Sequence, residues 1–112
     1  MTGAQAEGRA RAALEALGWR TLEANVLVRG GELDLVMQEG DTIVFVEVRH
    51  RSSAAFGGAA ASLGPSKQAR VRRAAALWLA RHGRDDAPVR FDAVLLDGPA
   101  EAACLTHLRD AF

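Results

Sequence analysis

Cysteine is nearly absent from this chain of 112 residues, which contains Cys104 and no other. A lone cysteine excludes an intramolecular disulfide, and it also excludes a zinc site built from several cysteines. We expect Cys104 to be a small buried thiol with a structural role and no part in catalysis or metal binding.

Long hydrophobic runs are also missing, although 49% of the residues are hydrophobic. The apolar runs extend over a few residues, whereas a membrane-spanning helix needs about 20. The opening residues MTGAQAEGRA lack the apolar stretch of a secretory signal. We therefore predict a cytoplasmic protein without a membrane segment. The chain length predicts a single domain over residues 1–112.

Acidic residues are missing from the central part of the chain. Fourteen basic and fourteen acidic residues give a formal net charge of zero, but residues 48–84 contain eight bases and no acid. A local basic region can bind a polyanion even when the total charge is zero. Thirteen of the fourteen bases are arginine, which makes bidentate contacts with phosphate. The charge pattern therefore permits a nucleic-acid partner.

The apolar periodicity predicts two helices and five strands. Alanine and leucine at helical spacing indicate a first helix over 4–17, and Pro65 begins a second, basic helix that ends near His82. Strands are predicted at 19–28, 32–37, 42–50, 89–96 and 103–108. The order α-β-β-β-α-β-β indicates an α/β mixed sheet flanked by helices. Its first three strands form a meander, and its fourth strand runs parallel to the third.

Charged residues lie inside two of these strands, in the runs GELDLV and FVEVR. Because side chains alternate along a strand, Glu47 and Arg49 should point to one face of the sheet. A short hairpin loop centred on residues 39 and 40 would place Asp34 opposite Phe45. Asp34 would then be a diagonal neighbour of Glu47, near enough for both carboxylates to bind one divalent cation.

A structural role alone explains these acids poorly. Like charges repel within a sheet, and an unpaired buried carboxylate costs free energy. An ion pair between Asp34 and Arg49 would still leave Glu32 and Glu47 without partners. A Mg²⁺ or Mn²⁺ ion would remove the conflict, activate a water molecule and neutralise charge on a phosphodiester.

The motifs resemble those of the restriction-endonuclease-like nucleases, which include archaeal Holliday-junction resolvases and share an Asp on the second strand with Glu-x-Lys on the third. The runs GELDLV, FVEVRHR and RFDAV, with the downstream Lys67, look more closely like the YraN-like bacterial family of predicted endonuclease-like proteins. The resemblance implies a restriction-endonuclease-like αβββαβ core. It also implies that Asp34 and Glu47 are metal ligands and that Glu7 is a third acid near the metal.

Position 49 departs from the nuclease pattern, because the motif has lysine where this chain has Arg49. A lysine can lose its proton and act as a base, whereas arginine stays protonated and only stabilises charge. Arg49 could still hold the phosphate or the water. Alternatively, Lys67 at the start of the basic helix could reach the site in place of the missing lysine.

Other polar residues leave alternatives open. Glu7 either faces the sheet or forms an ion pair with Arg11 one turn away. Glu32 begins its strand, caps the turn at Gly30 and Gly31, pairs with Arg51, or supports the metal ligands without binding the ion. Asp92 is expected to pair with an arginine or to shape the core. Both tryptophans are expected in the core, and the three histidines have no ligand spacing.

The basic segment provides the second functional prediction, because it lacks the acids that neutralise an ordinary surface helix. The predicted phosphate contacts are Arg51, Lys67, Arg70 and Arg73. The Gly/Ala/Ser-rich connection over 51–64 is unusually long, which predicts a mobile functional segment. The leading hypothesis is a Mg²⁺-dependent nuclease of DNA. The alternatives are a noncatalytic module that binds DNA or RNA, and a protein-interaction adaptor, and the chain could form a homodimer.

Overall fold

The computed structural model describes all 112 residues and confirms the predicted order of helices and strands. The helices are α1 (Gly3–Ala16) and α2 (Pro65–Arg81). The strands are β1 (Arg20–Val28), β2 (Gly31–Glu39), β3 (Thr42–Arg51), β4 (Val89–Asp97) and β5 (Cys104–Leu108). Neither helix combines the length and the apolar character that crossing a membrane would require.

The five strands form one mixed sheet in the order β1-β2-β3-β4-β5. The first three strands are an antiparallel meander, β4 runs parallel to β3 and follows α2, and β5 pairs with β4 in the antiparallel direction. Each helix covers one face of this sheet. Val44, Val46 and Val48 pack in the cluster that contains α1, whereas Ile43 and Phe45 pack in the cluster that contains α2. Both faces of β3 are therefore buried, which explains its nearly continuous run of apolar residues.

The two helices begin with different signals. In α1, the Thr2 hydroxyl accepts a hydrogen bond from the Gln5 N–H at 3.1 Å, and the Gln5 amide oxygen accepts one from the Thr2 N–H at 2.8 Å. This capping box satisfies donors that the first turn leaves free. In α2, Pro65 occupies the first turn and Gly64 supplies no side-chain cap. The first turn of the basic helix therefore keeps backbone N–H groups that no capping side chain satisfies.

Helical spacing places one apolar face of each helix against the sheet. The buried face of α1 consists of Ala6, Ala10 and Leu14, and that of α2 consists of Val71, Ala74, Ala75 and Trp78. Both tryptophans are buried, as expected. The Trp78 indole N–H donates to Glu23 at 2.9 Å, so this large ring is buried without an unsatisfied donor.

Three expectations need correction. The β2–β3 hairpin turns at residues 40 and 41, since Glu39 pairs with Thr42, so the register differs by two residues from the predicted one. Gly40 has a φ of +59° at the first loop position, where glycine carries no steric penalty. Cys104 is exposed rather than buried, because it lies on the edge strand β5. The connection 51–64 is not a plain loop, because 3-10 turns form within Ala55–Ser62, interrupted by non-helical backbone at Phe56, Gly57 and Gly58.

Candidate active site

The candidate site lies where the β1–β2 hairpin parts from β3. The last paired residues of β2 and β3 are Leu35 and Val46, so Asp34 and Glu47 are the first residues beyond the paired region. Strand β3 nevertheless continues beside β4, and β2 continues beside β1. The Val48 N–H donates to Asp34 Oδ2 at 2.9 Å. A carboxylate thus lies in the fork and accepts a hydrogen bond from the backbone of β3.

Three carboxylates from two elements converge at this fork. Oxygen atoms of Glu7, Glu32 and Asp34 all lie within 4.8 Å of one another. Glu7 comes from α1, and its pKa is raised by partial burial and by the negative charge of Asp34. The alternative partner of Glu7, Arg11, instead forms its ion pair with Glu15 at 3.2 Å. Glu7 therefore faces the sheet.

Glu32 is closer to the other acids than sequence reasoning indicated. The sequence predicts at most a supporting role for Glu32, yet its carboxylate belongs to the group of three. The signal was present in the spacing, because Glu32 and Asp34 are two residues apart on one strand and can share a face. Glu32 is exposed, so it can bind a ligand without the desolvation cost of a buried acid.

Glu47 is the most unusual side chain in the site, because it is only 1% exposed and ionisable. Its Oε1 lies 3.0 Å from Arg49 and 3.3 Å from Lys67, whereas its Oε2 has no hydrogen-bond partner. Burial, followed by repulsion from Asp34, raises the pKa of Glu47 to about 7. The two nearby cations only partly offset these effects. The site therefore holds a carboxylate that lacks a positive partner at one oxygen.

Arg49 and Lys67 connect this acid to two different elements. Arg49 lies between the acids: its Nη2 donates to Glu47, and its Nη1 lies 4.0 Å from Asp34 Oδ2. Its Nε is buried without a hydrogen-bond partner. Lys67, from the first turn of α2, reaches the same Glu47 oxygen as Arg49. Lys67 is therefore close enough to Glu47 to take the place of the lysine in the nuclease motif, as the sequence suggested.

A basic cavity adjoins the acids. It has a volume of about 370 Å³ and no hydrophobic lining, and its lining residues are Arg49, His50, Arg51, Ser62, Lys67 and Arg70. Three of the four predicted phosphate contacts line it, whereas Arg73 is exposed elsewhere on α2. Because Arg49 and Lys67 line the cavity and also contact Glu47, an anion in the cavity would lie next to the acidic site.

Asp92 belongs to a separate network. It is fully buried and accepts two hydrogen bonds from Arg90, at 2.8 and 3.0 Å. His107 and the Asp110 N–H are further partners, at 2.8 and 3.0 Å. Burial alone would raise the pKa of Asp92, but these hydrogen bonds outweigh it and hold the pKa below its usual value. The expectation that Asp92 pairs with an arginine is confirmed.

The donor set of the site suits a hard divalent cation. The converging side chains offer carboxylate oxygens, with no cysteine or histidine among them. Mg²⁺ and Mn²⁺ prefer such oxygen ligands. The unpartnered Glu47 Oε2 and the repulsion between Asp34 and Glu47 are both features that a bound cation would relieve. The residues present therefore fit the metal that the sequence motif implies.

Comparison with known proteins gives a consistent assignment. Residues 6–96 match the family described as "Uncharacterised protein family UPF0102". Proteins named "UPF0102 protein YraN" from Escherichia coli strain SMS-3-5 / SECEC and from Shigella sonnei strain Ss046 are each 54% identical to this chain. The protein of that name from Escherichia coli strain K12 / DH10B is 52% identical. In each case the similarity covers 99% of this chain and 83% of the relative. This chain belongs to the UPF0102 family.

Proposed function

We propose that this protein is a divalent-cation-dependent nuclease that cleaves phosphodiesters. One juxtaposition carries the proposal: a buried glutamate with an unpartnered oxygen, next to other carboxylates, adjoins a cavity lined by four cationic side chains. Clustered carboxylates can bind a divalent cation, and a cavity lined by arginine and lysine can bind a phosphate. The motifs that resemble restriction-endonuclease-like nucleases indicate DNA as the substrate.

The metal ligands in this proposal are Asp34, Glu47 and Glu7, and Glu32 lies near enough to take part. A bound Mg²⁺ or Mn²⁺ ion would lower the pKa of a coordinated water and neutralise charge on the phosphate. The fork between β2 and β3 orients Asp34 through its hydrogen bond from Val48. Such support matters because a ligand that is already oriented loses less entropy when it binds the ion.

The cationic side chains have different roles in this proposal. Arg49 keeps its proton and holds the Glu47 carboxylate in place. Lys67 lies at the boundary between the acids and the cavity, where its ammonium group can contact a phosphate oxygen or give up a proton. Arg51 and Arg70 line the rest of the cavity and bind neighbouring phosphates. These fixed positive groups would stabilise the negative charge that develops on the phosphate during cleavage.

The proposal is tested by Asp34→Asn, which keeps the shape of the side chain and removes its charge. We expect Mn²⁺ affinity and DNA cleavage to fall by at least about 100-fold, since losing even an outer partner of a metal ligand costs about 10- to 100-fold. Cleavage is measured on end-labelled branched, single-stranded and duplex DNA, and Mn²⁺ binding by calorimetry. The matched control is Asp86→Asn, which makes the same substitution at an exposed acid outside the site.

The outcomes separate the rival functions. Equal residual cleavage in Asp34→Asn and the wild type would show that the activity does not depend on these acids. DNA binding by the wild type without cleavage in Mg²⁺ or Mn²⁺ would contradict the proposal and support a noncatalytic binding module. That module would show an affinity that falls steeply with salt concentration, in proportion to the phosphates contacted.

A second prediction concerns the replacement for the motif lysine. Lys67→Met keeps the length of the side chain and removes its amine, and we expect cleavage to fall by about 100- to 10,000-fold. The control Arg81→Met removes one exposed charge from the opposite end of α2 and should leave cleavage unchanged. Arg49→Lys should retain cleavage, because it restores the motif residue beside Glu47. If Lys67→Met cleaves like the wild type, Lys67 does not replace the motif lysine.

A further inference from the structure

The loop after β3 exposes one aromatic side chain completely. Phe56 is 101% exposed, whereas Leu27, the next most exposed large hydrophobic residue, is 77% exposed. Its backbone has φ +55° and ψ +37°, the left-handed region that a bulky residue rarely adopts. The fold therefore accepts both backbone strain and the exposure of an apolar ring at one position. Strain of this kind persists only where the surrounding structure holds it, and it is concentrated at ligand sites.

The neighbouring residues hold this loop in place. Gly57 and Gly58 also have positive φ, at +88° and +61°, and they lead into Ala59, which is fully buried. The Ala59 N–H donates to Asp97 Oδ1 at 2.6 Å, which ties the loop to the end of β4. A Cβ atom at position 58 would collide with this carboxylate, so glycine is required there. Phe56 is thus presented by an anchored turn, which limits the entropy lost when the ring binds a ligand.

The position of Phe56 relates it to the proposed active site. Phe56 and Arg51 line one surface cavity of about 420 Å³. Arg51 also lines the basic cavity that contains Lys67, and Lys67 contacts Glu47. A continuous path therefore runs from the acids through the basic cavity to the exposed ring. Along this path, the carboxylates that would bind a metal are followed by the cationic side chains that would contact phosphates, and then by the aromatic ring.

We propose that Phe56 stacks on an unpaired base of the nucleic acid, so that this protein selects substrates with single-stranded or unpaired nucleotides beside the bound phosphate. The inference rests on the proposed function and deepens it. Bases in a duplex are already stacked on their neighbours, and their faces are not available to a protruding ring. An unpaired base offers a free face, and stacking on aromatic side chains is the usual way in which proteins hold such bases.

The test compares Phe56→Ala and Phe56→Trp with the wild type. Binding is measured by fluorescence anisotropy, without divalent cations, using a labelled single strand and the same strand in a duplex. We expect Phe56→Ala to lose about 5- to 100-fold in affinity for the single strand and to bind the duplex like the wild type. Phe56→Trp should keep the single-strand affinity. The control is Leu27→Ala, another exposed apolar residue, on β1.

Each outcome has a distinct meaning. Unchanged single-strand affinity in Phe56→Ala would overturn the inference, and so would an equal loss for the single strand and the duplex. In either case, Mn²⁺-dependent cleavage that is abolished by Asp34→Asn would leave the proposed function intact. Failure of the wild type to bind any DNA would overturn both. If the ring instead meets a protein or a lipid surface, the nucleic-acid affinities of Phe56→Ala and the wild type will coincide.

Discussion

Glu47→Gln should make the protein more stable at neutral and alkaline pH while abolishing metal-dependent cleavage. The glutamate is buried beside Asp34 with one oxygen unpartnered, so its charge costs free energy in the folded state. Glutamine has the same shape and no charge, and its amide can donate to Asp34. Because each pKa unit corresponds to about 1.4 kcal/mol and the pKa of Glu47 rises from 4.5 to about 7, we expect a gain on the order of 3 kcal/mol near pH 8.

The gain should depend on pH in a defined direction. The pKa of Glu47 is raised in the folded state from 4.5 to about 7. Below 4.5 the side chain is protonated in both the folded and unfolded states, so the wild type keeps its full stability there. As the pH rises through about 7, the folded protein must carry a buried charge and loses stability. The advantage of Glu47→Gln should therefore be absent near pH 4 and complete near pH 8.

Urea denaturation across this pH range measures the effect, with the exposed Glu101→Gln as the control. Exposed substitutions of this kind usually change the free energy of unfolding by less than about 0.5 kcal/mol. Added Mn²⁺ should stabilise the wild type and have little effect on Glu47→Gln, because the cation binds the folded site. A variant that is less stable than the wild type near pH 8 would contradict this interpretation of Glu47.

Asp92→Ala should have the opposite effect and should greatly reduce the free energy of unfolding. Asp92 is fully buried and is the common partner of Arg90, His107 and the Asp110 N–H. Removing one member of a buried ion pair leaves the others without compensation and costs about 3–5 kcal/mol. Arg90 would keep only Glu39 as an acidic partner, at 2.7 Å. We expect a large fall in the urea midpoint at neutral pH.

Acid should reduce this difference. The pKa of Asp92 is held below its ordinary value of 3.8, so its contribution to stability is present above that pH. This contribution is lost as the pH falls through the lower pKa of the folded state, because the wild type then protonates Asp92 and loses the same charge that the variant lacks. At equal concentrations of folded protein, Asp92→Ala should cleave DNA like the wild type. Loss of cleavage in the folded variant would instead place Asp92 in the site.

The hairpin between β2 and β3 shows how far local sequence determines register. The predicted and observed loops differ by two residues, and a shift of two residues does not reverse the alternation of side chains along a strand. The predicted register had Asp34 opposite Phe45, whereas the observed pairing, continued by one residue, brings Asp34 level with Glu47. The difference arises because Gly40 takes the first loop position, at φ +59°, rather than the second.

Periodicity and composition determined a large part of this protein. The capping and apolar pattern of α1, the doubly buried run of β3 and the acid-free segment that forms α2 are all local properties, because each depends on residues within a few positions of one another. The convergence of Glu7, Glu32 and Asp34, the burial of Glu47 and the approach of Lys67 are not local. They arise from the packing of α1 and α2 on the sheet and from the separation of β2 from β3. No spacing in the chain specifies those distances, so the chemistry of the site emerges only when these distant segments pack together.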